Sequence, residues 1–235
     1  MKRILVCSLT VLGTFAAWAF AQSNIDNTVP NKFGWGENVG WTNWRGEATP
    51  GQGAIVGEFV MSGFVWGENI GWINLGDGTP AAPPFYANAN GLDFGVNVAS
   101  DGNLSGMAWG ENIGWINFGG GALATPAQPA KIDCASPPGQ PVARLTGYVW
   151  GENTGWINLS DLNAGKFVAV DAATTPLTCD VNHDNVKNGR DVQSFVNVLL
   201  AGGSWRDTCS GDTQAIPNNA VDVADIPPFI ACLLN

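Results

Sequence analysis

Between residues 24 and 171, apolar and polar positions alternate in short runs broken by Gly, Pro, Asn and Asp, the patterning of β-strands joined by turns. The runs AIVGEFVMSGFVW, DFGVNVASDGNLSGMAW and VARLTGYVW each lead into a segment G-E-N-x-G crowded with turn formers. Trp66 is therefore expected to end one strand and Trp72 to begin the next, with about three short antiparallel strands per unit. Asp101-Gly102 marks a hairpin between alternating strands, and TPAAPPF and ATPAQPA predict surface loops. After KFVAVD the segment AATTPLT is expected to be a linker, and the period changes at Cys179. Val192, Phe195, Val196 and Leu199 fall at helical spacing until Gly202-Gly203. Ile226, Phe229, Ile230, Leu233 and Leu234 share one face of a second helix, with Pro227 and Pro228 admissible only in its first turn. The pattern predicts a mainly β protein: an antiparallel all-β repeat domain over residues 24–171, a linker over 172–178 and a small α-helical module over 179–235. Blade-like stacking, a sandwich and a short solenoid are each compatible with it.

An internal repeat sets the architecture of the first region. WGENVGWTNW begins at Trp35, WGENIGWINL at Trp66, WGENIGWINF at Trp109 and WGENTGWINL at Trp150, so the copies start 31, 43 and 41 residues apart. In the second copy Gly67 and Gly71 permit a tight turn, Asn69 tolerates left-handed backbone or bonds its own main chain, and Asn74 pegs the outgoing strand. Glu68 can accept from turn amides or an indole N–H. Glu37, Glu68, Glu111 and Glu152 recur in one frame, as do Asn38, Asn69, Asn112 and Asn153. A catalytic acid is needed once, so the repeated glutamates are expected to be structural.

Eight of the eleven Trp stand at the two recurring Trp positions of these motifs: Trp35, Trp41, Trp66, Trp72, Trp109, Trp115, Trp150 and Trp156. With few Leu and Ile available, they are expected to form the core, stacking between units. The alternative is a platform of exposed indoles for sugar rings, and Trp44, in the irregular first copy, is the one expected to be exposed. The motif resembles the G-x-x-W-G-E-N-x-G-W-I-N repeats of secreted and cell-surface proteins of environmental bacteria, over residues 33 to 160. That resemblance implies a location and no catalytic activity.

The first residues, MKRILVCSLTVLGTFAAWAFAQS, place Lys2 and Arg3 ahead of an apolar run, with small residues at Ala19 and Ala21. This is the form of a secretory signal peptide over residues 1–21, and a secreted or cell-surface protein follows. The whole chain carries a net charge of -10, from 10 basic and 20 acidic residues. Cleavage would remove two basic residues and no acid, which argues further against nucleic-acid or anionic-membrane partners. Cys134, Cys179, Cys209 and Cys232 would then remain in an oxidising compartment, where disulfides are expected. Three connectivities are possible, and Cys209 with Cys232, leaving Cys134 with Cys179, is favoured.

The acidic residues cluster in DVNHDNVKNGRD, residues 180 to 191. Asp180, Asn182, Asp184, Asn188 and Asp191 stand at positions 1, 3, 5, 9 and 12 of a twelve-residue loop, with the Val186 carbonyl at position 7. That is the spacing of an EF-hand-type calcium site, so Ca2+ is the expected cofactor. Asp191 replaces the usual glutamate, and Asn185 stands where Gly makes the sharp turn, a geometry Asn tolerates. His183, the one histidine, is expected to face solvent.

Residues 179 to 235 resemble a type I dockerin, the duplicated calcium-loop and helix module that binds cohesin domains. The resemblance implies the same five side-chain ligands in the first loop. In the second it reaches only Asn218, Asp222 and Asp225, because Gln214 and Ile216 fall at positions 1 and 3. It also implies that partner choice lies after position 9, at Gly189, Arg190, Val223 and Ala224. The expected function is non-catalytic, with no catalytic residues: calcium-ordered docking to a cohesin-like protein or cell-surface component, with the β repeats as scaffold or adhesive face. A polysaccharide-binding protein and a dockerin-bearing glycoside hydrolase are the alternatives; no Ser-His-Asp, metal-His or singular acidic motif supports the enzyme.

Overall fold

The computed structural model describes residues 22–28, 30–46, 53–134, 143–171 and 175–234. The predicted signal peptide and the first half of the predicted linker lie outside them. Each W-G-E-N-x-G-W motif sits on a hairpin. The first is β1 (Phe33–Gly36) with β2 (Gly40–Asn43). A short β3 (Ala54–Val56) leads into β4 (Met61–Gly67) and β5 (Gly71–Asn74), and β6 (Val96–Val98) into β7 (Leu104–Gly110) and β8 (Gly114–Asn117). β9 (Lys131–Asp133) and β10 (Arg144–Thr146) precede the fourth hairpin, β11 (Tyr148–Gly151) with β12 (Gly155–Asn158). β13 (Ser160–Asp161) and β14 (Lys166–Ala169) follow, then α1 (Asp191–Ala201), α2 (Trp205–Gly211) and α3 (Ile226–Leu233).

The four hairpins pair side by side, β2 with β4, β5 with β7, β8 with β11 and β12 with β1, so eight antiparallel strands close into a barrel. The seams share one register: Asn43 opposes Trp66, Asn74 opposes Trp109, Asn117 opposes Trp150 and Asn158 opposes Trp35. Closure removes free strand edges, which the blade, sandwich and solenoid arrangements would have left. β13, β14, β10 and β9 form a second sheet, and Ile25 bridges Val170, so the start and end of the β region meet. β6 pairs with β7 across the Asp101-Gly102 turn, as the sequence pattern predicts, with Gly102 at φ +82°.

The local geometry explains the glycines of the motif. The three-residue loops Glu-Asn-x are flanked by a paired Gly-Gly, and the second of these, Gly40, Gly71, Gly114 or Gly155, has φ between +69° and +77°. That left-handed position is the bulge site of a three-residue hairpin. The first glycine faces inward: a Cβ on Gly67 would lie 2.3 Å from Cγ1 of Ile70, which folds back to plug the barrel end.

The barrel interior is filled in layers of four, one side chain per hairpin. Val39, Ile70, Ile113 and Thr154 close the turn end; Thr42, Ile73, Ile116 and Ile157 lie above them; Val65, Ala108 and Val149 share a layer with Gly34; and Trp44, Leu75, Phe118 and Leu159 complete the stack. All are buried. This corrects two expectations. The motif tryptophans are not the core, because Trp and Ile alternate across each strand and only the Ile and Val side points in. Trp44, expected to be exposed, is 3% exposed. The reason is local: Gly34 and Thr42 leave space inside the first hairpin, and Trp44 fills it, donating from Nε1 to Thr42 Oγ1 at 3.2 Å.

The helical region is held to the barrel. Trp205 is 1% exposed, packs with the barrel core, and donates from Nε1 to the Gly57 carbonyl at 2.8 Å. Thr208 Oγ1 donates to the Ser100 carbonyl at 3.0 Å. These contacts reach the β3–β4 and β6–β7 loops, at the opposite ends of β4 and β7 from the GEN turns. α2 is absent from the sequence pattern because it exposes no long apolar stripe; it starts at a capping box, Ser204 with Asp207. The helices also have their own small core, with Phe195 and Phe229 stacked at 4.0 Å.

The disulfides are Cys134–Cys209 and Cys179–Cys232, not the favoured pairing. Docking of α2 on the barrel carries Cys209 to the end of β9, beside Cys134, and leaves Cys232 of α3 to close on Cys179. The bonds point to an oxidising compartment. No helix among the described residues is long and apolar enough to cross a membrane.

Candidate functional site: a girdle of indoles and two oxygen-lined loops

Two features stand out: the outer wall of the barrel and the paired loops of the helical region. On the wall, each hairpin presents its two tryptophans as directly opposed cross-strand partners. Ring centroids are 4.7 Å apart for Trp35–Trp41, 4.8 Å for Trp66–Trp72 and 4.7 Å for Trp109–Trp115, and Trp150 opposes Trp156. Seven of these eight indoles are 36–42% exposed. Trp41 is more covered, with the Lys166 ammonium 4.5 Å from its ring. A further aromatic ring meets the second Trp of each pair edge-on: Phe33 on Trp41, Phe64 on Trp72, Phe94 on Trp115 and Tyr148 on Trp156. Edge-to-face contacts of this kind stabilise a hairpin beyond their buried area.

The asparagines of the turns tie the hairpins into a ring. Asn69 donates to the Val39 carbonyl, Asn112 to Ile70, Asn153 to Ile113 and Asn38 to Thr154, each at 3.1 or 3.2 Å. Each turn thus bonds its predecessor around the barrel mouth. The second asparagine of the motif acts locally: Asn43, Asn74, Asn117 and Asn158 each accept from the amide two residues on, at 2.8–3.0 Å. Glu37, Glu68, Glu111 and Glu152 stand exposed on the rim between these asparagines, one per hairpin.

In the first loop Asp180 and Asp191 are buried and gather loop amides. Asp180 accepts from Asp184 N and Asn185 N, and Asp191 accepts from Asn182 N and Asn188 N. Asn185 has φ +64°, the left-handed turn expected of position 6. Asn182, Asp184 and Asn188 lie along the same loop, each accepting from a nearby amide. His183 is exposed, with Nε2 3.7 Å from Asp207 Oδ1.

The second loop repeats this pattern in a frame the sequence did not reveal. Asp212 Oδ2 accepts from Asn219 N at 2.6 Å as Asp180 Oδ2 accepts from Asn185 N at 2.8 Å, and Asn219 has φ +61°. Asp225 accepts from Gln214 N at 3.0 Å and Asp222 N at 2.9 Å, as Asp191 does from Asn182 N at 3.2 Å and Asn188 N at 2.8 Å. Asp212 therefore occupies position 1 and Gln214 position 3, with two extra residues before Asn218. The twelve-residue frame that put Gln214 first is corrected by this insertion. Asn218, Asp222 and Asp225 keep positions 5, 9 and 12, with the Ala220 carbonyl at 7. Burial pushes the Asp212 carboxyl above its ordinary range, and the Asp225 charge adds to the effect.

The oxygen-only donor sets of both loops fit a hard cation such as Ca2+. In each, carboxylates supply only part of the set and amide and main-chain oxygens the rest. Among the described residues no three His, Cys, Asp or Glu side chains form a metal-holding group by themselves. Gly189, Arg190, Val223 and Ala224 are all exposed. On α1 the buried apolar side chains are Phe195 and Val198, and Val192, Val196 and Leu200 form an exposed apolar row four residues apart. Of the residues at helical spacing, Phe195 packs on Phe229 of α3, and Val192 and Val196 face outward. α3 likewise buries Phe229 and leaves Ile230 exposed, as is Leu234 just past its end. The chain matches no protein-family model, no curated protein and no solved structure.

Proposed function

We propose that this is a secreted, non-catalytic protein whose helical region is a dockerin-like module ordered by calcium and used for docking. The reading rests on one observation: two loops of unequal length close around buried aspartates with the same set of amide hydrogen bonds. Asp180, Asn182, Asp184, Asn188, Asp191 and the Val186 carbonyl would hold one ion. Asp212, Gln214, Asn218, Asp222, Asp225 and the Ala220 carbonyl would hold the other. Calcium supplies positive charge that offsets the repulsion among buried carboxylates and draws each loop onto the helix behind it.

The docking face is the exposed row Val192, Val196 and Leu200 on α1, with Arg190 at its start and Ala224 exposed at the matching position of the second loop. An apolar row of this spacing is how a helix enters a groove of a partner. The barrel is the scaffold, and its disulfide and Trp205 contacts hold the module at a fixed orientation instead of on a tether. Surface plasmon resonance over an immobilised type I cohesin domain, in calcium and in chelator, tests this. Binding that needs calcium and is lost in Val196→Glu is expected; no binding in calcium removes the cohesin-type docking function.

A further inference from the structure

The barrel wall is not chemically uniform around its four hairpins. On the first, the Lys166 ammonium sits 4.5 Å from the Trp41 ring and 5.3 Å from the Phe33 ring, in the corner these rings make at 74°. The fourth hairpin builds the same corner at the same register: Tyr148 faces Asn158 as Phe33 faces Asn43, and Tyr148 meets Trp156 at 6.4 Å and 87°. There the corner opens into a groove of about 330 Å³ between the fourth and first hairpins. Trp35 supplies a third aromatic wall, and Glu37, Asn38 and Asn158 supply the polar ones.

We propose that this groove binds an alkylammonium group, of a small quaternary amine or of a lysine side chain. Three aromatic rings and a carboxylate around one volume form a cage for a cation, because ring faces attract positive charge while the methyl or methylene surface is buried against them. The first hairpin shows that this corner accepts an ammonium, and the protein's net charge of -10 draws cations to it. The second hairpin has the bare corner, Phe64 with Trp72 at 6.2 Å and 78°, but the groove with its third ring and Glu37 belongs to the fourth. Quaternary heads should bind more tightly than a primary ammonium, which loses more hydration on entering an aromatic cage.

The test is a tryptophan-fluorescence titration of the disulfide-bonded mature protein with choline, with its neutral isostere 3,3-dimethylbutan-1-ol, with Nα-acetyl-lysine amide and with cellohexaose. Choline should saturate the signal and bind at least about fivefold more tightly than the neutral isostere. Glu37→Gln, a substitution on the exposed rim, should weaken choline several-fold, and Trp156→Ala should abolish it while Trp115→Ala leaves it unchanged. A stronger response to Nα-acetyl-lysine amide than to choline would name a lysine side chain as the natural occupant. Equal binding of choline and its isostere, indifference to both Glu37→Gln and Trp156→Ala, or saturation by cellohexaose alone would overturn the proposal, the last marking a sugar-stacking surface instead.

Discussion

Adding one methyl group at Gly67 probes how the barrel end is sealed. Its backbone is not in the left-handed region, so an alanine meets no conformational penalty there, and the cost is steric. The new Cβ would stand 2.3 Å from Cγ1 and 2.8 Å from Cδ1 of Ile70, against ordinary carbon contacts of about 3.5–4.0 Å. Ile70 is buried in the plug layer with Val39, Ile113 and Thr154, so it has no solvent to swing into. Overpacking of this kind costs about 1–3 kcal/mol, and Gly67→Ala is expected in that range. Ile70→Ala alone should cost about 2–5 kcal/mol through the cavity it leaves. The double variant should cost clearly less than the sum, because the alanine methyl occupies space that Ile70 vacates. Urea unfolding followed by far-UV circular dichroism measures all three. A neutral Gly67→Ala, or strict additivity in the double variant, would refute the claim that the x residue of each turn packs over its first glycine.

Other consequences follow from the same geometry. Asn112→Ala removes the bond to the Ile70 carbonyl and should lower stability by about 1 kcal/mol, with the same loss for Asn69→Ala and Asn153→Ala; unequal effects in thermal melts would argue against a ring of equivalent ties. Burial pushes the Tyr86 phenol up to about 12 from 10.0, so between those pH values the unfolded chain releases a proton that the folded chain keeps. Stability should therefore be unaffected by this group below about pH 10 and fall as pH rises toward 12, a slope that Tyr86→Phe removes from alkaline unfolding curves. Trp205→Ala should cost about 3–5 kcal/mol and release the module's contacts with Gly57, read as faster hydrogen exchange in the β3–β4 loop.

The hairpins were legible in the sequence because their chemistry is local. G-E-N-x-G names its turn type, and Asn74 pegs its own strand end whatever lies around it. The face of each strand was also written in the alternation, but the wrong side was weighted. In WGENIGWIN, Trp72 shares a face with polar Asn74, and Ile73 shares the other with Leu75. Bulk argues for burying the indoles, whereas the inner layers of this barrel are filled by side chains of Val and Ile size, and large rings enter only the end layer, as Trp44 and Phe118. That closure depends on four identical seams between units far apart in sequence, which no single window displays.

Legibility failed in the helical region for two different reasons. Asp212 lies two residues ahead of the twelve-residue frame, so a fixed spacing template passed over it even though Asn219 and Asp225 hold their places. The disulfides depend on α2, a seven-residue helix whose Trp205 is buried by the barrel and not by its own module. Its N-terminal signal, Ser204 with Asp207, was present in the sequence; its destination was not.

Native mass spectrometry of the mature protein in calcium counts the ions that the two loops hold and shows whether Asp212 opens the second. Two bound ions are predicted, falling to one in Asp180→Ala and to one in Asp212→Ala, while Ile216→Ala retains both. An absence of bound calcium, or a second ion that is indifferent to loss of the Asp212 carboxylate, would contradict the account.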